Sequence, residues 1–137
     1  MRNLIKKHAE EETPIYAECG GLMYLTKSIN FGKKKYKMVG LFDAETKMTK
    51  KMTLNYTEGR ITSNCLISTP RKFRAHEFHY SKIRNLPRDA KLVYDLKIGE
   101  GISGRKDALF EYNTLASYCH LYFDSAKHAS RLIGKKI

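Results

Sequence analysis

The alternation of apolar and polar positions divides the first quarter of the chain into a helix, a short strand and a second helix. In residues 3–12 the apolar side chains can share one helix face, and Pro14 ends that helix because the residue before a proline avoids the α region. Residues 15–17 are apolar and predict a short, buried strand of a parallel sheet. Residues 20–29 predict the second helix, which closes in a turn at residues 30–32.

The pattern changes after that turn. Several segments are rich in β-branched or aromatic residues and are separated by turn-forming residues, which indicates successive strands. These predicted strands are residues 36–42, 48–56, 61–68, 73–80, 91–96 and 115–122. A glycine-bearing loop lies at 99–104, and Asp124 can cap a last helix over residues 124–132. The pattern therefore predicts one α/β domain whose middle is mostly β.

The charge of the chain points to anionic partners. Its 137 residues include 26 Lys and Arg against 14 Asp and Glu, a formal net charge of +12. Such an excess suits nucleic acid, a polycarboxylate substrate or simply a lysine-rich surface. The basic residues are dispersed over several turns and strands, and no nucleic-acid-binding motif accompanies them. We therefore expect no nucleic-acid partner and favour an anionic small molecule.

The cysteines give information about compartment and metals. Cys19, Cys65 and Cys119 are odd in number, far apart and without metal-ligand spacing. This pattern predicts reduced thiols in a cytoplasmic protein and no metal site. No apolar run approaches the roughly 20 residues that span a bilayer, so a membrane role has no support. We expect Cys65 and Cys119 to be core residues.

Cys19 is the candidate nucleophile. It follows the short apolar strand and precedes Gly20, Gly21 and a predicted helix, so it lies at a tight strand-to-helix turn. A helix N-terminus there favours the reactive thiolate, and the glycines let a substrate carbonyl approach backbone N–H groups that form an oxyanion hole. The alternative for Cys19 is a buried structural cysteine.

Four motifs in the same order carry a family resemblance. They are Pro-Ile-Tyr-Ala-Glu-Cys-Gly-Gly-Leu-Met-Tyr-Leu (residues 14–25), Met-Val-Gly-Leu (38–41), His-Glu-Phe-His-Tyr-Ser (76–81) and Asn-Thr-Leu-Ala-Ser-Tyr-Cys-His-Leu-Tyr-Phe (113–123). Together they resemble the C-terminal class I glutamine amidotransferase domain of cobyrinate a,c-diamide synthases. The resemblance covers most of the chain and implies an amidotransferase-like sheet flanked by helices.

The resemblance implies a catalytic pair of Cys19 and His120, with the histidine as base. Many amidotransferases carry a glutamate two positions after that histidine, whereas this chain has Tyr122, so only a dyad is expected. Glu18 could orient the turn at Cys19 or make a surface contact. His76, Glu77 and His79 could contact substrate, form an interface or simply pack. The spacing of the two histidines on a strand does not suit a metal pair.

The resemblance also implies a function. The chain would supply ammonia from glutamine to an ATP-dependent synthetase that amidates tetrapyrrole carboxylates in cobalamin biosynthesis, or in the related nickel-sirohydrochlorin reaction. A non-catalytic binding module is the alternative. The resemblance places ATP and Mg²⁺ in an N-terminal synthetase domain, and this chain contains no phosphate-binding loop motif. We expect residues 1–137 to be a partial amidotransferase domain without its first strands, which pairs with the missing region or with itself.

Overall fold

A computed structural model describes residues 1–66 and 72–122. The two helices are α1 (Arg2–Glu10) and α2 (Gly20–Leu25). The nine strands are β1 (Ile15–Glu18), β2 (Thr26–Phe31), β3 (Lys34–Lys37), β4 (Phe42–Ile61), β5 (Lys72–Arg84), β6 (Leu92–Ile98), β7 (Lys106–Glu111), β8 (Thr114–Ser117) and β9 (His120–Leu121).

All nine strands belong to one mixed sheet. Along its main path the order is β1-β8-β7-β6-β4-β2-β3, and β5 pairs with both β4 and β9. The β1–β8 and β2–β4 pairs are parallel, whereas the other pairs are antiparallel. The parallel β1–β8 pair is important for function because it aligns Glu18 with Ser117 and so brings the end of β1 close to the segment that precedes His120.

Two clusters of buried side chains form the core. The first contains residues of both helices, among them Ala9, Leu22 and Leu25, packed with strand residues such as Leu109 and Ala116. The second consists mainly of strand residues: Ile61, Ala75, Val93, Tyr94, Leu96, Ala108, Leu115 and Cys119. The buried position of Cys119 agrees with the expectation of a core cysteine, while Cys65 is half-buried and packs against the second cluster.

The predicted helix over residues 20–29 is wrong in its second half. The helix ends at Leu25, where the Thr26 hydroxyl donates to the Met23 carbonyl at 2.7 Å and Thr26 itself is extended. The chain continues as β2, which pairs with β4 on one side and β3 on the other. The apolar spacing fits a helix, but pairing between two strands prevails over this local pattern.

Other predicted strands differ in their bounds. The segment 36–42 contains only the end of β3 and the start of β4, and the segment 48–56 is the middle of the long β4, which has an irregular register between Met48 and Thr53. Of the segment 61–68, Ile61 ends β4, residues 62–66 form no strand, and 67–68 lie outside the described residues. The predicted strand 73–80 is confirmed within β5, and the predicted strand 91–96 is confirmed from Leu92 onward as part of β6.

The sequence did not predict β7, and the segment 115–122 proves to be two short strands rather than one. β7 contains the buried Asp107 and Ala108, whose φ of 62° is unusual for a strand, so its pattern does not alternate. Between β8 and β9, Tyr118 and Cys119 turn the chain. The helix predicted over 124–132 lies outside the described residues.

Candidate active site

Cys19 lies in a sharp turn between β1 and α2. Its backbone has φ 47° and ψ −101°, a conformation that side-chain-bearing residues rarely adopt. The Cys19 N–H donates to the Ser117 carbonyl at 2.8 Å, which continues the β1–β8 pairing up to the turn. Such strain costs about 1–3 kcal/mol and persists where the surrounding structure imposes it, often at functional sites. The predicted strand-to-helix turn is therefore present in the structure.

The two glycines after Cys19 have different surroundings. A Cβ atom on Gly21 would lie 2.9 Å from the Ala17 Cβ, because α2 crosses β1 closely at this point. A Cβ atom on Gly20 would meet nothing within 4 Å. Gly21 is thus required by the packing of the turn, whereas Gly20 borders open space beside the thiol.

Cys19 is held as a protonated thiol. Its Sγ–H donates to the Phe78 carbonyl on β5 at 3.4 Å. Burial raises the pKa of the Cys19 thiol, the Gly20 backbone N–H partly opposes this, and the neighbouring Glu18 carboxylate adds to it. The Gly20 N–H at the start of α2 acts in the expected direction, towards the thiolate, but α2 has only six residues and desolvation dominates, so the pKa of Cys19 is raised rather than lowered. A base is needed to deprotonate Cys19.

His120 lies on β9 and pairs with His76 on β5. Their rings are stacked, with centroids 4.8 Å apart and planes inclined by 6°. Phe78, which accepts the thiol hydrogen bond of Cys19, is two residues from His76 on the same strand. Cys19 therefore contacts β5 at Phe78 and His120 contacts it at His76, and residues two apart on a strand are separated by about 7 Å.

Glu18 connects the strand before the turn with β9. Its Oε1 accepts hydrogen bonds from the Tyr16 hydroxyl at 2.5 Å and from the Leu121 backbone N–H at 3.1 Å. Its Oε2 lies 3.4 Å from the Nδ1 atom of His120. Glu18 therefore makes a defined contact with the candidate base, which the sequence left open. Tyr122, at the position where a glutamate was sought, is exposed and its ring packs 5.6 Å from that of His76.

Glu77 and His79 form a second pair that is part of the protein framework. Glu77 accepts hydrogen bonds from the Glu100 N–H at 2.6 Å, the Gly101 N–H at 3.1 Å and the Asn55 side chain at 3.1 Å. Its Oε2 lies 3.4 Å from Nε2 of His79, whose Nδ1 lies 2.9 Å from the Ser81 carbonyl. Both residues are buried, which favours the packing role considered from the sequence over contact with substrate.

The pKa of Glu77 reflects these contacts. Burial alone would raise the pKa of its carboxyl group, but the hydrogen bonds from His79, the Glu100 amide, Asn55 and the Gly101 amide hold it below its ordinary value. Glu77 thereby fastens the 99–104 loop to β4 and β5 as a carboxylate. The His79 ring also stacks on the Tyr118 ring, with centroids 3.6 Å apart.

Asp107 on β7 is a residue that the sequence analysis missed. It is fully buried, and its two carboxylate oxygens accept hydrogen bonds from the Tyr118 N–H at 3.1 Å and the Cys119 N–H at 2.9 Å. Burial raises the pKa of this carboxyl group, although these hydrogen bonds oppose the change. Asp107 thus stabilises the turn at Tyr118 and Cys119, which directly precedes His120. The available signal was a single acidic residue within an apolar segment, Asp-Ala-Leu-Phe.

Within residues 1–66 and 72–122, no group of three or more His, Cys, Asp or Glu side chains is arranged to hold a metal ion. Across the same residues, none of the helices has the length and apolar character needed to cross a membrane.

Comparison with known proteins places these features in context. The model of the CobB/CobQ-like glutamine amidotransferase domain matches residues 1–128. A cobyrinate a,c-diamide synthase from Sulfurisphaera tokodaii is 49% identical over 124 residues, which cover 90% of this chain and 28% of that protein. The enzyme of the same name from Archaeoglobus fulgidus is 37% identical over 138 residues, which cover 99% of this chain and 30% of that protein.

Solved structures show the same fold. A glutamine amidotransferase from Thermotoga maritima superposes with a TM-score of 0.57 at 18% identity, over 87% of this chain and 45% of that chain. Another glutamine amidotransferase superposes with a TM-score of 0.56 at 18% identity, over 87% of this chain and 58% of that chain. The expected fold class, a class I glutamine amidotransferase-like sheet flanked by helices, is confirmed.

Proposed function

Because the chain belongs to the CobB/CobQ-like glutamine amidotransferase family, we propose that it is the glutaminase part of a cobyrinate a,c-diamide synthase. In this proposal Cys19 is the nucleophile and His120 is the base. The observation that carries it is the strained turn at Cys19, which places a thiol beside the β5 segment against which His120 is stacked. Strain of this kind clusters at active sites, where it presents a side chain to substrate.

The reaction follows the chemistry of a Cys–His pair. Nε2 of His120 takes the Sγ proton, and the thiolate attacks the side-chain amide carbon of glutamine to form a C–S bond. The carbonyl oxygen becomes negative and accepts hydrogen bonds from backbone N–H groups, for which Gly20 is the candidate in this chain. The C–N bond then breaks as His120 returns its proton to nitrogen, and ammonia leaves.

The second half of the reaction restores the enzyme. A water molecule gives a proton to His120 and attacks the thioester carbon, the C–S bond breaks, and the sulfur regains the proton. Glutamate is released. In this half-reaction His120 needs one nitrogen free to accept a proton, so its hydrogen must be on the other nitrogen.

The destination of the ammonia is proposed from the relatives. The chain spans about 28–30% of the length of the cobyrinate a,c-diamide synthases described above. We place the ATP- and Mg²⁺-dependent activation of a tetrapyrrole carboxylate in the region that those enzymes have in addition. The substrate is cobyrinate in this proposal, and a nickel sirohydrochlorin is the alternative. In this proposal residues 1–137 are part of an amidotransferase domain, and the protein acts in the cytoplasm.

The positive charge suits that anionic substrate better than nucleic acid. Four basic side chains line an open groove of about 650 Å³ at the β4–β5–β6 side of the sheet: Arg60, Lys72, Arg74 and Lys97. Two of them are already ion-paired, Arg60 with Asp95 and Arg74 with Glu58. Titration with DNA and RNA oligonucleotides near 0.15 M salt should show only non-specific binding, with Kd of roughly 10⁻⁴–10⁻⁶ M. Sequence-selective, much tighter binding would refute this assignment.

An exposed apolar strip next to the site offers a surface for the synthetase region. Leu54 and Phe78 are directly opposite each other on β4 and β5, with Tyr56 and Tyr80 beside them, and all four side chains are exposed. The strip adjoins Cys19 through Phe78. We propose that the synthetase region covers it. Leu54→Glu should weaken association with a separately expressed synthetase region, and unchanged association would refute this placement.

A non-catalytic binding module is the second candidate. Two features of Cys19 favour it. The thiol donates a hydrogen bond to the Phe78 carbonyl, and its pKa is raised, and both features make the thiol less reactive. Under this alternative, glutamine analogues would bind without reacting at Cys19.

Glutamine hydrolysis distinguishes the two candidates. We would measure glutamate release by the chain alone and by the chain combined with the synthetase region of a relative. Cys19→Ala and His120→Ala should abolish the activity, while Cys65→Ala, at a half-buried cysteine outside the site, serves as the matched control. We expect weak activity for the chain alone. Activity that survives Cys19→Ala, or none in the combined system, would reject the glutaminase proposal.

A further inference from the structure

The two oxygens of the Glu18 carboxylate have different tasks. Oε1 receives two hydrogen bonds, from the Tyr16 hydroxyl and from the Leu121 backbone N–H. Oε2 faces Nδ1 of His120 at 3.4 Å. Because Oε1 is anchored on both β1 and β9, the carboxylate is held in one orientation, and Oε2 is directed at the imidazole.

We propose that Glu18 is the positioning residue of His120, and that it fixes the hydrogen of the neutral imidazole on Nδ1. This inference rests on the proposed glutaminase function. A carboxylate beside Nδ1 stabilises a hydrogen on that nitrogen and leaves Nε2 free to accept the proton of Cys19. The residue immediately before the nucleophile would thus orient the base.

His76 completes the support of the ring. It lies flat against the face of His120, while Glu18 contacts the edge of the same ring. One contact restrains the plane of the imidazole and the other restrains its rotation within that plane. Tyr122 does not replace Glu18, since the contact of its ring is with His76.

The anchored Oε1 makes Glu18→Gln a sharp test. In the variant, the amide oxygen can keep both hydrogen bonds, from Tyr16 and Leu121, and the amide nitrogen then points at Nδ1 of His120. An N–H donor at Nδ1 requires a lone pair there, which moves the ring hydrogen to Nε2, the wrong nitrogen for a base acting on Cys19. The substitution should therefore be nearly isosteric and yet invert the tautomer.

The primary readout is the tautomer itself, which does not depend on activity. Long-range ¹H–¹⁵N correlation spectra of the histidine-labelled chain, recorded where the ring is neutral, should show the His120 hydrogen on Nδ1. In Glu18→Gln it should move to Nε2, and Glu18→Asp should retain Nδ1 at least in part. Tyr16→Phe, which removes a donor to Oε1 but keeps the Glu18 carboxylate, is the matched control and should keep the wild-type tautomer.

The second readout is turnover with glutamine in the combined system. Glu18→Gln should lower kcat by about 10²–10⁴-fold, the range that a positioned general base contributes, and leave KM within about threefold. Glu18→Asp should recover part of the loss. If Cys19→Ala and His120→Ala do not reduce turnover either, the proposed glutaminase function itself is wrong, and not only the role of Glu18.

Other results would overturn the inference about Glu18 alone. One is loss of activity in Cys19→Ala and His120→Ala together with normal kcat in Glu18→Gln. Another is a wild-type chain whose neutral His120 carries its hydrogen on Nε2, a result that stands even if the Glu18→Gln protein does not fold.

Discussion

Among residues 1–66 and 72–122, two glutamate–histidine pairs have the same separation and different surroundings. In each, a carboxylate oxygen lies 3.4 Å from an imidazole nitrogen. The side chains of Glu77 and His79 are 0% and 3% exposed, whereas those of Glu18 and His120 are 25% and 31% exposed. The distance between carboxylate and imidazole therefore does not distinguish a structural pair from a proposed catalytic pair. The two pairs differ in their burial and in their other hydrogen-bond partners.

The partners explain how each pair is used. Glu77 receives two backbone N–H groups and an amide in addition to His79, and both nitrogens of His79 have acceptors nearby. Both nitrogens of that ring are therefore occupied. In the other pair, Glu18 faces Nδ1 of His120, and the His120 side chain is partly exposed. Since a base must keep a nitrogen for the proton it moves, we propose His120 rather than His79 as the histidine that acts on Cys19.

Replacing the two histidines should separate the pairs most strongly. His120→Ala should lower glutaminase turnover by about 10³-fold or more while changing the free energy of unfolding by less than about 1 kcal/mol. His79→Ala should lower the free energy of unfolding by about 3 kcal/mol, because it leaves Glu77 buried without its histidine. Chemical denaturation and steady-state turnover measure both quantities. Equal effects of the two variants on stability would contradict the comparison.

Part of this site could be predicted from the sequence. The turn at Cys19 could be predicted because strand, cysteine, two glycines and helix are adjacent in the chain. The partner of His120 could not, because Glu18 is at the other end of the sequence and reaches β9 only through the β1–β8 pairing. Glu77 and His79 were named as candidates from the sequence, but the hydrogen bonds that Glu77 receives from Glu100 and Gly101 join positions 23 and 24 residues apart and could not be predicted from it.

Removing the charge of each glutamate should give the next largest difference in stability between the two pairs. Glu77→Gln should lower the free energy of unfolding by about 2–4 kcal/mol, since it weakens a buried, hydrogen-bonded charge. Glu18→Gln, at a partly exposed pair, should change it by less than about 1 kcal/mol. Denaturant melts at neutral pH compare the two directly. A larger loss for Glu18→Gln would mean that the framework role had been assigned to the wrong pair.

The same pair predicts a dependence of stability on pH. The pKa of Glu77 is lowered on folding, so its contribution is present above the ordinary value of 4.5 and is lost as the pH falls through the folded-state value. As the pH falls below the ordinary pKa of a glutamate, the wild-type chain should therefore lose stability more steeply than Glu77→Gln does. Unfolding curves from about pH 7 to about pH 3 measure the difference. Parallel pH profiles for the two proteins would be incompatible with an ionised Glu77.

A smaller effect tests the strain beside the exposed pair. At the φ of Cys19, glycine is favoured over a residue with a Cβ atom, so Cys19→Gly should be more stable than Cys19→Ala by about 1 kcal/mol. Both variants lack the thiol, so their comparison isolates the backbone. Thermal or denaturant unfolding gives the value. If Cys19→Ala is the more stable of the two, the turn is not strained.

Covalent trapping tests most directly whether Cys19 attacks glutamine with His120 as its base. A glutamine analogue with an electrophilic diazoketone in place of the amide would be added to the combined system, and the modified peptide identified by mass spectrometry. We predict one adduct, on Cys19, that forms much more slowly in His120→Ala, while His79→Ala is labelled like the wild type wherever it remains folded. Labelling at Cys65 or Cys119 instead, or equal labelling of Cys19 without His120, would contradict the account.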